Sequence, residues 1–194
     1  MARRRKDIPV IRTAKASDLL PVRALLIETW HAAYDGILGN DEVEAQCAMH
    51  FSRRTLKRGI AEKAGYWFGV AEVDGAVRAV ATVRFGVMAA VKLEMLYVHP
   101  DYQRRGLGRA FIAHIVSTMP WARTIHVEAL EPNMPAMAFY RSLGFEFQGT
   151  RSDRRLASVP VAGFKLVREG ADEVPSRFAA FLKRLIGRAV IDRN

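Results

Sequence analysis

Leu93-Glu94-Met95-Leu96-Tyr97-Val98-His99-Pro100-Asp101-Tyr102-Gln103-Arg104-Arg105-Gly106-Leu107-Gly108-Arg109-Ala110-Phe111-Ile112-Ala113-His114-Ile115-Val116-Ser117 reads as a strand, a turn and a helix in immediate succession. The strand ends at His99-Pro100, because the residue before a proline is pushed into extended geometry and proline cannot donate to a ladder. A basic turn containing Gly106 and Gly108 follows. Leu107, Ala110, Phe111, His114 and Ile115 then recur at helical spacing, so the turn opens directly into a helix N-terminus. Such a terminus has unpaired N–H groups and a partial positive charge, and it binds phosphate where glycines let the chain come close. Arg104, Arg105 and Arg109 add fixed charge at the same place. The local expectation is a pyrophosphate site.

With 194 residues, half of them hydrophobic, the chain can form one domain with a real core, and its length argues against two. Thirty Lys and Arg against 20 Asp and Glu give a formal charge of +10. That balance favours an anionic partner, which a phosphorylated cofactor, nucleic acid, ribosomes or a membrane surface could each supply; charge alone does not choose. The single cysteine, Cys47, permits no intrachain disulfide and points to a reducing, cytoplasmic setting. It lies in a helical-looking segment with only His50 nearby, which favours a structural thiol. Residues 1–7 form a basic arm followed by no long apolar run, so the arm reads as neither signal peptide nor membrane span.

Outward from the opening stretch, the order of elements is informative. Ile8 to Thr13 reads as a first strand, and the segment up to Asp18 as a cap for a helix carrying Val22, Leu25, Leu26, Thr29 and Trp30. Tyr34 to Asn40 is expected to break that helix, and a second one to run from Asp41 to about Arg58. From Tyr66 to Phe85 the period becomes strand-like around Asp74-Gly75, a hairpin signature. Three antiparallel strands therefore precede the glycine turn, an order that disfavours a Rossmann fold. Thr124 to Leu130 reads as a fifth strand parallel to the fourth, since a helix connects them. Asn133 caps a further helix that Gly144 stops, and Phe145–Thr150 and Val161–Val167 supply the last two strands. Beyond Arg168 an amphipathic basic segment, 169–194, suits packing on its own domain, a homodimer contact, a membrane surface or a polyanion.

Gln103-Arg104-Arg105-Gly106-Leu107-Gly108, following Leu96-Tyr97-Val98-His99-Pro100, resembles the acetyl-CoA motif of the GNAT superfamily of N-acetyltransferases. Asn133 with Ala138-Phe139-Tyr140-Arg141-Ser142-Leu143-Gly144-Phe145 resembles that family's second motif at the right distance downstream. The resemblance covers Ile8 to Arg168, within a domain set at 1–168 that leaves 169–194 as an extension. It implies an α/β (α+β) fold with a mixed, mostly antiparallel sheet of six to seven strands, splayed between strands 4 and 5 and flanked by helices. It implies acetyl-CoA as co-substrate, with no metal, and transfer to a primary amine in a ternary complex. By the same resemblance, Leu96, Tyr97 and Val98 offer backbone to the pantetheine arm. Gln103, Arg104, Arg105, Gly106, Leu107, Gly108 and Arg109 hold the phosphates, Asn133 contacts the cofactor, and Tyr140 lies near its sulfur.

An amine with pKa about 10.4 costs about 4–5 kcal/mol to deprotonate near pH 7, so a base or a water relay is expected. The strand-4 position where many family members carry an acid falls on Lys92 here. Glu94, two residues on and on the same face by alternation, is the first candidate base; Glu128 is the second and His126 the third. Tyr140 suits protonation of a departing thiolate, its phenol having comparable basicity. A non-catalytic acetyl-CoA sensor, or a basic adaptor for a polyanion, is the rival reading. The acids Asp35, Asp41, Glu42 and Glu44 permit a cationic acceptor without identifying it.

Overall fold

Alternation from Tyr66 to Phe85 folds as a hairpin, closed by Asp74 and Gly75 at positive φ, 53° and 73°, with Val73 and Ala76 as direct partners. This hairpin is the scaffold onto which the remaining strands add. A computed structural model describes residues 9–61, 64–152 and 159–168. Its strands are β1 (Val10–Thr13), β2 (Tyr66–Val73), β3 (Ala76–Phe85), β4 (Ala90–Val98), β5 (Thr124–Leu130), β6 (Glu146–Ser152) and β7 (Pro160–Val167). They form one seven-stranded sheet in the order β1-β2-β3-β4-β5-β7-β6. Every pairing is antiparallel except β4 with β5.

The helices are α1 (Leu19–Leu38), α2 (Asn40–His50), α3 (Arg53–Ile60), α4 (Leu107–Thr118) and α5 (Met134–Ser142). Two apolar cores cover the two faces of the sheet. Leu93, Phe111, Ile115, Ile125 and Phe164 pack on the face of α4 and α5, while Val22, Leu26, Val43, Val70 and Val80 pack on the face of α1 to α3. Each of these buried side chains contributes about 1.5–3 kcal/mol.

Two helix boundaries differ from the sequence reading. The first helix runs through Gly36 and stops at Gly39, whose φ is 87°. A glycine inside a helix costs about 1 kcal/mol, which the burial of Leu26, Thr29, Trp30 and Tyr34 on one face exceeds. The expected second helix is two, because Phe51 turns into the core and Ser52 Oγ accepts from Thr55 N at 3.2 Å, starting α3 afresh. Asp18 does more than cap the approach to α1. Its carboxylate takes the Lys15 N–H and a two-pronged Arg12 contact at 2.7 and 2.9 Å, tying β1 to the start of α1. The basic N-terminal arm, Asp153 to Arg155 and the 169–194 extension lie outside the described residues.

Candidate active site

β4 and β5 pair over only four residues, from Ala90 with Thr124 to Leu93 with Val127. Beyond Leu93, β4 stays paired to β3 as far as Val98, and β5 to β7 as far as Leu130, so the two strands separate into a cleft. The divergence begins at a bulge: Val83 faces Leu93 while Thr82 faces Met95, which leaves Glu94 as the extra residue. A bulge bends its strand and sharpens the twist. After it, Met95 and Tyr97 join the core of α1 to α3, and Leu96 and Val98 join that of α4 and α5. Residues 94–98 thus have a β5-facing edge without a strand partner, and backbone groups there require another one. The Val98 carbonyl has found one in Gln103 Nε2 at 3.2 Å.

That edge leads directly into the glycine turn. Arg104 and Gly106 take positive φ, 56° and 95°, and reverse the chain so that α4 starts at Leu107. The two glycines have different tasks. Gly106 supplies the left-handed conformation, whereas a Cβ on Gly108 would come within 3.0 Å of Phe139 Cζ, so Gly108 admits close packing of α5 on α4. Arg104, Arg105 and Arg109 are exposed and make no ion pair with any described carboxylate. Three cations without a described carboxylate partner at a helix N-terminus have the charge that an anion would answer. Gly106→Ala is expected to destabilise the fold by about 1–2 kcal/mol through left-handed strain, read as a lower denaturation midpoint.

Three phenols converge from three elements on the cleft. Tyr34 of α1 and Tyr140 of α5 are 8% and 6% exposed; Tyr34 opposes ionisation of Tyr140, both oppose ionisation of Tyr97 on β4, and the Tyr34 and Tyr97 hydroxyls neighbour each other. Burial pushes all three up, so they remain protonated at neutral pH. Asn133 Oδ1 caps α5 by accepting from Ala136 N at 3.2 Å, as the sequence suggested, and its amide neighbours the Tyr34 hydroxyl. The Trp30 ring stands 4.9 Å from that of Tyr34 and 6.3 Å from that of Tyr97, with its buried N–H beside the Tyr97 hydroxyl. Tyr34 belongs by sequence to a segment, Trp30 to Glu44, expected to line the acceptor site, but the sequence does not set it beside Tyr97 and Tyr140. Its helical spacing from Trp30, four residues, was the available signal.

The candidate bases lie on β4 and β5, the two strands that part at the cleft, and the two glutamates among them are in ion pairs. Glu94 Oε1 accepts from Arg84 Nε at 2.6 Å, and Arg84 is the cross-strand partner of Lys92, so Glu94 does share the Lys92 face. Glu128, the first β5 residue past the end of the ladder, accepts from Lys92 Nζ at 2.8 Å and Arg151 Nη2 at 3.1 Å. Burial opposes its ionisation, but those hydrogen bonds outweigh burial and hold the carboxyl below its ordinary value. His126 is pushed down by burial and by Lys165 and Lys92, which favours the neutral ring. Among the described residues there is no group of three or more metal-ligating side chains, and no helix is long and apolar enough to cross a membrane.

Residues 62–147 match the acetyltransferase (GNAT) domain model. The [ribosomal protein bS18]-alanine N-acetyltransferase of Escherichia coli strain K12 is 39% identical over 61 residues, 30% of this chain and 41% of that protein. The peptidyl-lysine N-acetyltransferase YjaB of the same strain is 29% identical over 94 residues, 48% of this chain and 58% of that protein. The alignments thus span from about two-fifths to somewhat over half the length of these relatives. In three dimensions, the PaiA N-acetyltransferase of Thermoplasma acidophilum in complex with coenzyme A superposes with TM-score 0.73 at 19% identity, over 82% of this chain and 99% of that one. The ribosomal-protein-S18-alanine N-acetyltransferase of Escherichia coli gives 0.61 at 22%, over 87% and 97%. These superpositions bear out the expected fold, including the parallel β4–β5 pair at the splay.

Proposed function

We propose that this chain, a GNAT-superfamily protein by domain and by fold, uses acetyl-CoA to acetylate a primary amine on a peptide or protein. One observation carries the reading: the unpaired edge of β4 runs without interruption into a helix N-terminus bearing three arginines without a described carboxylate partner. An extended, amide-bearing arm ending in a pyrophosphate matches that sequence of groups. Backbone at Leu96, Tyr97 and Val98 would hold the arm, the turn from Gln103 to Arg109 the phosphates, and Asn133 and Tyr140 the end near the thioester. Acetyl-CoA, when bound, supplies an activated acyl group and a thiol leaving group. The described domain, with the basic arm and the extension read from sequence, makes up the proposed organisation.

The chain's own groups divide the proton traffic. Tyr140, kept protonated by burial, is the proton donor to the sulfur side of the cleft. Glu94 and Glu128 flank the amine side from β4 and β5. Glu94, held by one arginine, takes the proton from the acceptor directly or through water. Glu128, held by two cations, stays ionised and anchors the acceptor ammonium. Calorimetric titration with acetyl-CoA, followed by thiol release on a panel of peptides with free α-amines or lysines, is expected to show one bound acetyl-CoA and turnover of a peptide amine. Glu94→Gln should then lose more turnover than Glu128→Gln at neutral pH. Absence of acetyl-CoA binding overturns the proposal; binding without turnover of any amine favours a sensor.

A further inference from the structure

Below the splay, Arg84, Lys92, His126 and Lys165 are successive cross-strand partners on β3, β4, β5 and β7, so four basic side chains stand in one row across one face of the sheet. Neighbouring strands are about 4.8 Å apart, and like charges placed directly opposite one another destabilise a sheet. Such a row needs anions. Two are built in: Glu94 serves Arg84, and Glu128 serves Lys92 together with Arg151. The Lys165 end has no ion pair among the described residues. Glu146, its cross-strand neighbour on β6, makes no ion pair with it among the described residues. Among the described residues His126 has the Thr124 hydroxyl, at 3.2 Å, as its hydrogen-bond partner.

Arg84, Lys92 and His126 of this row line a groove of about 360 Å³ together with Phe85, Glu128 and Gln148, and Lys165 stands beside it as the cross-strand partner of His126. Glu128 lines this groove and is also the first β5 residue past the β4–β5 ladder, so the groove adjoins the proposed acceptor side. We propose that this groove receives an acidic segment of the peptide acceptor, with a carboxylate seated between His126 and Lys165. The inference rests on the peptide-acetyltransferase reading and deepens it, by giving the acceptor a charge. A carboxylate there answers Lys165, and it favours proton uptake by His126, which Lys92 and Lys165 otherwise resist.

The test uses the full chain and two synthetic peptides beginning with alanine, one with glutamates at its fourth to sixth positions and the other with glutamines there. The acidic peptide should bind about tenfold more tightly at low salt, with the gap closing at high salt, and should raise the pH midpoint of the His126 ring signals in NMR. Loss of those signals in His126→Gln assigns them. In Lys165→Glu both the preference and the shift should vanish while acetyl-CoA affinity, read by calorimetry, stays unchanged; Lys165→Gln should lie between. Equal affinity for the two peptides, or a preference that survives in Lys165→Glu, overturns the inference. His126 is read without acetyl-CoA, so failure of turnover sinks the acetyltransferase reading while the groove is judged by the titration alone.

Discussion

Tyr140→Phe is expected to lower turnover by about 10²-fold or more while leaving acetyl-CoA binding within about twofold of wild type. The change removes one oxygen from a ring whose packing it preserves: Tyr140 lies 5.2, 5.5 and 5.9 Å from the rings of Phe139, Phe145 and Phe164, contacts a phenylalanine retains. A loss of rate without a loss of fold therefore isolates proton transfer. Burial, followed by the nearby Tyr34, pushes the phenol upward, so its proton is retained through the alkaline range in which a free tyrosine would begin to lose it. Wild-type turnover should accordingly show no alkaline decline attributable to Tyr140 up to about pH 10. Thiol release measured across pH for both proteins checks this, with circular dichroism as the folding control. Unchanged turnover in Tyr140→Phe would remove the residue from the chemistry and leave it a packing role between α5 and the sheet.

What the sequence could disclose, and what it could not, follows from where each determinant resides. The Asp74-Gly75 turn, the His99-Pro100 strand end, the Gly106 reversal and the Asn133 cap are set by residues adjacent in the chain, and all four stand where local chemistry put them. The persistence of α1 through Gly36 is different. It is decided by what Trp30 and Tyr34 bury against, including Phe51 on another segment, and no local signal near Gly36 reports that contact. The bulge at Glu94 is equally silent, since nothing in Leu93-Glu94-Met95 departs from an ordinary strand pattern. Yet it is the bulge that separates the faces of Leu93 and Met95 and frees the edge beyond. The ion pairs joining Arg84 to Glu94 and Lys92 to Glu128 connect residues 10 and 36 positions apart, so Lys92 could be recognised as a departure from the family pattern but not as the partner of a candidate base.

The largest effect on stability outside the apolar cores is expected from Arg12→Met, at about 3 kcal/mol, the lower end of the cost of breaking a buried ion pair. Arg12 serves two carboxylates at once, Asp18 at 2.7 Å and Glu72 at 2.5 Å, with the Asp18 side chain only 9% exposed. Methionine keeps much of the apolar stem but leaves Asp18 charged, enclosed and facing Glu72, with the Lys15 N–H as its remaining support. In the wild type the Arg12 hydrogen bonds outweigh burial and depress the Asp18 pKa, so that contribution is fully present above the unfolded value near 4 and is lost as pH falls through the lower folded value. In Arg12→Met burial and Glu72 act without opposition from the guanidinium, and the Asp18 pKa should rise instead. The sign of the pH dependence therefore reverses. Between pH 7.5 and about 4.5 the wild type retains this contribution, whereas the variant gains stability by protonating Asp18, so the difference in Tm should narrow as pH falls. A deficit of the same size at both pH values would mean that lost packing, rather than a stranded charge, sets the cost. Because this cluster ties β1 to the first turn of α1, the helix carrying Trp30 and Tyr34 into the cleft, the variant is also expected to weaken acetyl-CoA binding by several-fold at temperatures well below its Tm.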